Sequence, residues 1–529
     1  MHIKKLLCLF AALAVVSCAQ QPVSTDTHVV TFLHLNDTYR IDAVEDGQRG
    51  GFGRVVTLLR ELKQEGRDVR LLHGGDFLYP SLESQLWNGE QMIEAFNFMD
   101  ALAPMYVTPG NHEFDRRTPN VIIDAMRQSN VEWLGDNLTL STGAPDVDDM
   151  LQKAFVLEAG DLRLGILSLT VHANDGGNKR DYLKIDRNYV AAAERALQAI
   201  EAKNVDLIIG LTHLNLDNDR EVAALRSAHP KLQLLAGGHE HEPEFEAGDA
   251  TRATILKGAS NARTIWALDI YRVADGQFDL RTRRIAVDDS IAIDPAYAVI
   301  QNKWRRMLLE KIPYLEAKLG EAAVPLDGRE TAVRNEESNW GVFIADQMRG
   351  AFGKPANFAF VNGGTLRIDD YIIGDISFED VGRTFGFSSF LRHMKIKGAA
   401  FKALMETGYR GSGASKGYFP QISGFRVCVD RSRPNRQRIV SLQVPAANGW
   451  HEIDPDAEYT LVAPDYLYGG GDGYDFKAAT EVSLPGSELK YLVVDAIASA
   501  QANGKQIGAA TDPDNLRIVI LGRDRQHCW

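Results

Sequence analysis

The sequence predicts an α/β layered domain joined by a helical linker to a second domain rich in strands and turns, on three observations. Up to about residue 286, short apolar runs alternate with stretches of helical periodicity. Residues 294–320 then form one long amphipathic segment, and from about 323 to 521 a new succession of strands, turns and glycine-rich loops begins. A chain of 529 residues with 45% apolar composition is globular and exceeds what one core holds, so two domains are expected.

Residues 29–35, 69–72, 105–107, 162–169, 206–211 and 232–236 are apolar runs of strand character, while 53–62, 189–200 and 221–227 repeat their apolar residues at helical spacing. Such alternation builds a central sheet covered by helices. Residues 253–257 and 264–271 read as closing strands. Ile300, Trp304, Leu308, Leu309, Ile312, Leu315 and Leu319 recur at helical spacing with no catalytic residue types in a turn, which predicts an interdomain helix and linker over 291–322. The flanking domains are then 28–290 and 323–529.

Lys4 and Lys5 precede the apolar run 6–16 and then Ser17-Cys18, the order of an export signal. The run is too short to span a membrane. Ala14-Val15-Val16-Ser17-Cys18 also resembles the bacterial lipoprotein cleavage signal, which makes 1–17 the signal peptide, Cys18 the lipidated residue and 18–27 a tether. The expected location is a bacterial cell envelope, at the outer membrane facing the periplasm or the cell surface, with the lipid as the only membrane contact. Export permits a disulfide between Cys428 and Cys528, although spacing alone does not bring them together. A net charge of −13 argues against nucleic-acid binding through a broad basic surface, so an anionic substrate would need metals and a few arginines. The oligomeric state is left open.

Five polar clusters follow predicted strands. Asp37 comes after 29–35, Asp76 after 69–72, and Gly110-Asn111-His112-Glu113-Phe114-Asp115 after 105–107; His213 and the pair His239/His241 follow two more runs. The C-terminal ends of strands in an open α/β sheet share one edge, so these residues can converge there. The set offers Asp, Asn and His without Cys, which suits Mn, Zn, Co or Mg, with Fe as a further candidate, and an aspartate can bridge two ions. Two metals about 3.5–4 Å apart are a recurring design for phosphoester hydrolysis. His34 and His73 stand outside this pattern and read as structural.

Asn36-Asp37, Gly74-Gly75-Asp76, the 110–115 block, Thr212-His213-Leu214 and Gly237-Gly238-His239-Glu240-His241 resemble the five blocks of the calcineurin-like metallophosphoesterases. Their order is most similar to the 5′-nucleotidase branch, which includes UDP-sugar hydrolases and 2′,3′-cyclic phosphodiesterases. Asn362-Gly363-Gly364-Thr365-Leu366-Arg367 and the Gly-Gly-Asp-Gly loop within 466–474 resemble that branch's second domain. The resemblance implies a four-layer αββα sandwich, an interdomain helix and a C-terminal α/β (α+β) nucleotide-binding domain. It implies two divalent ions bridged by Asp76, one also taking Asp37 and His241, the other Asn111, His213 and His239. Asp217 or Asp219 would orient His213, while His112, oriented by Asp115, would stabilise phosphoryl charge. In the second domain Arg367, Arg334, Asn362 and Gly364 would hold the phosphate, Phe387 and Tyr466 would clamp a base, and Asp472 would meet the ribose. Arg426 is a further candidate. The implied reaction releases phosphate from nucleoside 5′-monophosphates by in-line attack of a metal-bound hydroxide, with rotation about the linker delivering substrate.

At one place the chain departs from the pattern: the first block reads Asp37-Thr38-Tyr39, where the family has Asp-x-His. Tyr39 could ligate as a phenolate. So could Tyr79, because Gly75-Asp76-Phe77-Leu78-Tyr79 matches a block of the purple acid phosphatases; the alternative is that Tyr79 packs on Pro80. The rival functions are a UDP-sugar diphosphatase, a 2′,3′-cyclic phosphodiesterase or a sulfur-ester hydrolase on the same frame, an acid phosphatase with a mixed-iron site, and a non-catalytic ligand-binding surface lipoprotein whose first metal site has decayed.

Overall fold

The computed structural model describes residues 26–172, 180–411 and 416–529. The expected signal peptide, Cys18 and the tether up to residue 25 lie outside them. Asp26 and Thr27, expected in the tether, already belong to the fold: Asp26 pairs with Arg281 and Thr27 opens the first strand, Thr27–Leu35. Among the described residues, no helix is long and apolar enough to cross a membrane.

Two six-stranded sheets face each other in the first domain, rather than the one central sheet that strand alternation suggests. The first runs Phe278–Ala286, Thr264–Arg272, Thr27–Leu35, Val69–His73, Met105–Val107, Glu132–Trp133, and its last four strands are parallel. The second runs Glu244–Glu246, Thr254–Lys257, Leu232–Gly237, Leu207–His213, Leu162–Thr170, Phe155–Ala159, with the middle four parallel. Strands buried on both faces are near-continuously apolar, and their side chains alternate between faces. Val30, Phe32 and Leu72 thus meet Leu164, Ile209 and Leu234 between the sheets. Leu33, Leu35 and Leu71 instead pack outward with Val55, Leu59 and Phe96 of the helices. On the opposite side Leu167, Ile208 and Leu235 pack with Ala193, Ala196 and Leu197. The result is the four-layer αββα sandwich. The helix expected over 221–227 begins earlier, as Leu216–Ala223, and ends in the 3₁₀ turn Ala224–Ser227.

The linker helix covers only Pro295–Lys311 of the expected 291–322. Pro313 disfavours helical backbone at the residue before it, and Ile312 leaves the helix at φ −128°. Leu319, whose spacing continued the apolar face, lies in the strand Lys318–Glu321. Tyr297 and Trp304 bury this helix against the first domain, where Lys303 also pairs with Glu94 at 2.7 Å.

Two four-stranded sheets form the second domain. Leu391–Lys397, Glu458–Pro464, Phe358–Asn362 and Pro420–Ser423 make one; Gly449–Glu452, Ile439–Ala446, Arg426–Val429 and Ile518–Ile520 make the other. Cys428 and Cys528 are disulfide-bonded, with Cα atoms 5.6 Å apart. At the seam between the domains Leu82 packs with Leu308, Leu315 and Phe378, and polar contacts flank this cluster: Arg383 pairs with Glu83 at 2.9 Å, Gln85 donates to the Phe385 carbonyl at 3.0 Å, and Asp370 accepts from the Asp46 amide at 3.1 Å.

Phe32 lies fully buried between the two sheets. Phe32→Ala is expected to cost about 3–5 kcal/mol, read as a lowered denaturation midpoint in urea with unchanged slope; an unshifted midpoint would contradict this packing.

Candidate active site

All five sequence motifs leave the sandwich at one edge, three from the first sheet and two from the second. Asp37, Asp76, His239 and His241 all take left-handed backbone, with φ of 52°, 61°, 85° and 65°. Residues bearing a Cβ resist this conformation at a cost of order 1–3 kcal/mol each, a strain that gathers at functional sites. Close packing turns these loops inward. A Cβ on Gly110 would lie 2.1 Å from Asp76 Oδ1, and one on Gly75 would lie 2.6 Å from the Gly110 amide, so only glycine lets the second and third loops meet.

Each buried carboxylate has one oxygen held and one presented. Asp37 Oδ2 accepts from Asn36 Nδ2 at 2.7 Å and from the His239 amide at 2.8 Å, while Oδ1 faces His241 Nε2 at 3.2 Å. Asp76 Oδ1 accepts from the His112 amide at 2.8 Å, and Oδ2 faces His213 Nε2 at 3.2 Å. Two groups result, Asp37/Asp76/His241 and Asp76/His213/His239, with the candidate ligand atoms of each within 4.8 Å of one another and Asp76 common to both. Asn111 Oδ1 is buried with no hydrogen-bond partner. An orphaned acceptor beside two Asp/His groups fits a pair of divalent ions. His34 and His73 stay structural: His34 Nε2 lies 3.0 Å from the Gly237 carbonyl, and His73 bridges Thr38 Oγ1 at 2.8 Å and the Gly75 amide at 3.2 Å.

Burial pushes the Asp37 carboxyl up, but the imidazoles of His241 and His213 outweigh it and hold the group at about 2. For His213 burial acts downward, and Asp76 and Asp37 overcome it, raising the imidazole to about 10.

Tyr39 fills the position where the sequence pattern leads one to expect histidine. Its hydroxyl lies 2.9 Å from His241 Nε2, 3.2 Å from Asp76 Oδ2 and 3.4 Å from Asp37 Oδ1. Side chains sharing one ion stand roughly 3 Å apart, so the phenol oxygen joins the first group as a neighbour of all three. Burial and then the two carboxylates push its pKa well up, a field that a cation would reverse. Tyr79 is not in this cluster. Its hydroxyl donates to Asn88 Oδ1 at 2.8 Å and its ring lies under Arg116, so it can serve neither ion.

Sequence reasoning missed three supporting residues. Glu113, inside the third motif, accepts from four backbone amides: those of Phe77 at 2.7 Å and Leu78 at 3.0 Å through Oε1, and those of Asp76 at 3.0 Å and Gly110 through Oε2. It therefore fixes the Asp76 loop, although burial and the neighbouring Asp76 raise it to about 7. Fully buried Lys257 joins both histidine loops through the Leu214 carbonyl at 2.7 Å, the Gly238 carbonyl at 2.9 Å, Asp219 at 2.8 Å and Glu240. A lysine closing an apolar strand was the available signal. Because Asp219 serves Lys257 and Asp217 pairs with Arg220, neither orients His213; the Gly74 carbonyl does, at 2.6 Å from Nδ1. The third residue, Glu330, comes from the second domain and meets His241 Nδ1. Only its spacing from Arg334, suited to a helical ion pair, was visible in advance.

The second domain reaches the same edge. Arg367 is anchored by donating to the Gly364 carbonyl at 2.7 Å, and its Nη2 lies 3.2 Å from His112 Nε2. His112 Nδ1 stands 2.8 Å from Asp115 Oδ2. The Arg367 guanidinium lies 5.5 Å from the ring centres of both Tyr39 and Phe387. Arg334 is held by Glu330 at 2.6 Å. Asp472 gathers Asn362 Nδ2 at 2.7 Å and the Tyr466 hydroxyl at 3.1 Å, and the partly exposed Tyr466 ring packs on Gly471, where a Cβ would lie 2.5 Å from the ring. Arg426 stands apart: it donates to Gln443 at 2.6 and 2.9 Å, lies against Trp450 and Trp529, and takes no place beside these groups.

Residues 25–243 match the calcineurin-like phosphoesterase family and residues 318–481 the 5′-nucleotidase C-terminal domain. The chain belongs to the 5′-nucleotidase family of phosphoester hydrolases. Human 5′-nucleotidase is 25% identical over 494 residues, 84% of each chain. In structure, the 5′-nucleotidase precursor of Thermus thermophilus is similar with a TM-score of 0.79 at 23% identity, covering 94% of this chain and 100% of that one. The sulfate thiohydrolase SoxB of the same organism has the same fold, with a TM-score of 0.73, 15% identity and coverage of 95% and 98%.

A cation entering beside His213 has to expel the proton that the raised pKa of about 10 holds there. Manganese binding is therefore expected to release protons near neutrality and to strengthen as pH rises from 6 to 8, read by calorimetry in buffers of different ionisation enthalpy. An affinity independent of pH would contradict the assignment of that proton.

Proposed function

We propose that this chain hydrolyses nucleoside 5′-monophosphates to nucleoside and phosphate, using two divalent ions shared through Asp76. Asp37, His241 and the Tyr39 hydroxyl would hold one ion; Asn111, His213 and His239 would hold the other. When bound, the ions supply charge neutralisation at the phosphoryl oxygens and acidify a water toward a pKa of about 7.

The observation that carries the reading is Arg367 Nη2 at 3.2 Å from His112 Nε2, because it joins a phosphate-binding group of one domain to the hydrolytic edge of the other. Arg367 presents a planar fork to phosphate oxygens. His112, held through Nδ1 by Asp115, donates from Nε2 when protonated and meets charge developing on the phosphoryl group. Arg334, Asn362 and Gly364 support the phosphate end. Phe387 and Tyr466 offer aromatic faces to the base, worth about 1–3 kcal/mol per stacked base and tolerant of its identity, and Asp472 faces the ribose hydroxyls. UDP-sugars and 2′,3′-cyclic nucleotides share these groups, so they rank after monophosphates; sulfur esters, lacking a base, rank last. The basic, apolar and cysteine-bearing start of the sequence supports an envelope lipoprotein anchored at Cys18, for which mass spectrometry of the membrane-extracted protein should find a lipid on that residue.

Chelator-stripped protein given Mn²⁺ should release phosphate from AMP. No release, with two ions bound, would move the substrate to diphosphates or sulfur esters. His112→Ala is expected to lower kcat by about 10²–10⁴-fold while both ions still bind. Arg367→Ala is expected to raise KM about tenfold or more, the loss of a charge-assisted contact to phosphate; an unchanged KM would remove Arg367 from the substrate site.

A further inference from the structure

The histidines His213 and His241 each turn Nε2 toward a carboxylate and Nδ1 toward an acceptor, but the acceptors differ in origin. For His213 it is the Gly74 carbonyl, at 2.6 Å, in the same domain. For His241 it is Oε2 of Glu330, on the short helix Glu330–Val333 of the second domain.

Glu330 is 2% exposed and fixed before it meets the imidazole. Its Oε1 takes Arg334 Nη2 at 2.6 Å, and its amide donates to Asp369 Oδ1 at 3.1 Å. Asp369 in turn stands 3.4 Å from Arg263 of the first domain. The remaining seam mixes polar contacts such as Arg383–Glu83 with an apolar cluster of four buried residues, Leu82, Leu308, Leu315 and Phe378, and an interface that is not large and hydrophobic usually permits relative domain motion.

We propose that Glu330 is a positioning residue for His241, and that cation binding beside Asp37 and docking of the second domain are thereby coupled. The proposal rests on the metal-dependent reading above. An imidazole that ligates through Nε2 carries its proton on Nδ1, and a carboxylate accepting that proton fixes the tautomer and ring angle and makes Nε2 a better donor. When the domains part, Glu330 keeps Arg334 while His241 loses its acceptor, so the consequence falls on the first ion. The group of Asn111, His213 and His239 draws its support from the first domain alone. Linkage is reciprocal: the factor by which docking tightens the first ion is the factor by which that ion favours docking. A plain interdomain ion pair would affect thermal stability and leave ion affinity unchanged.

Calorimetric titration of the whole protein with Mn²⁺, together with small-angle scattering with and without the ion, tests this on wild type, Glu330→Ala and Glu330→Gln. Wild type is expected to compact on Mn²⁺ binding; Glu330→Ala is expected to weaken one of two ions about 10–100-fold, to leave the other within about twofold, and to abolish that compaction. Glu330→Gln keeps an acceptor oxygen for Nδ1–H and should retain most of the affinity, which separates positioning from loss of fold. Wild-type affinities in Glu330→Ala, equal weakening of both ions, or compaction that persists in that variant would each overturn the coupling. A wild-type protein that binds no Mn²⁺ would overturn the metal-dependent reading itself, an outcome distinct from an insensitive Glu330.

Discussion

Two carboxylates, Asp37 and Asp76, buried and turned toward the same few histidines, are the constraint on which the rest of the site depends. Burying like charges together is costly unless hydrogen bonds and opposite charge offset them. Backbone amides from the His112 and His239 loops take one oxygen of each, which forces those loops to the same edge as the aspartates. The positive φ at four of these positions and the glycines at 75 and 110 follow from that convergence. The outward oxygens then require positive charge, which imidazoles supply in part and divalent cations would supply fully.

The sandwich exists to hold that edge still. Its two sheets contribute the motifs unequally, and Lys257, inserted beneath the second sheet's loops, ties His213 and His239 into one unit. Glu113 does the same for the Asp76 loop with four amides. In the proposed reading, rigid support on one domain and Arg367 on the other would divide the work of hydrolysis from that of substrate capture. Arg367 and Glu330 are the residues through which the second domain meets the site's histidines: Arg367 at His112, Glu330 at His241.

Much of this was legible in the sequence because the informative residues follow apolar runs, and a strand's end fixes where its next residues point. Asp37, Asp76, His213, His239 and His241 are found that way, and the structure brings these five together, while Asn111 keeps a buried, unpartnered side-chain oxygen beside the His112 amide that holds Asp76. Strand alternation alone suggested one central sheet, since local pattern does not say which runs pair; the partition into two sheets depends on long-range register. The linker helix was drawn too long because helical spacing continued to Leu319, although Pro313 was there to stop it. Tyr79 matches a motif over too few residues, and its hydroxyl is taken by Asn88. Asp217 and Asp219 are near His213 in sequence, yet the helix that follows turns Asp217 out to Arg220 and buries Asp219 against Lys257, and a backbone carbonyl takes their place at His213. The spacing of Glu330 from Arg334 is legible as a helical ion pair, but its contact with His241 is not, since that partner lies in the other domain.

In the proposed site two cations would share Asp76, one of them beside Tyr39. Anomalous diffraction from crystals soaked in Mn²⁺ tests it most directly. Two peaks about 3.5–4 Å apart are expected, one among Asp37, Asp76, His241 and the Tyr39 hydroxyl and the other among Asp76, Asn111, His213 and His239. A single peak in the second group, with Tyr39 still hydrogen-bonded to His241, would contradict it and leave the chain with one ion.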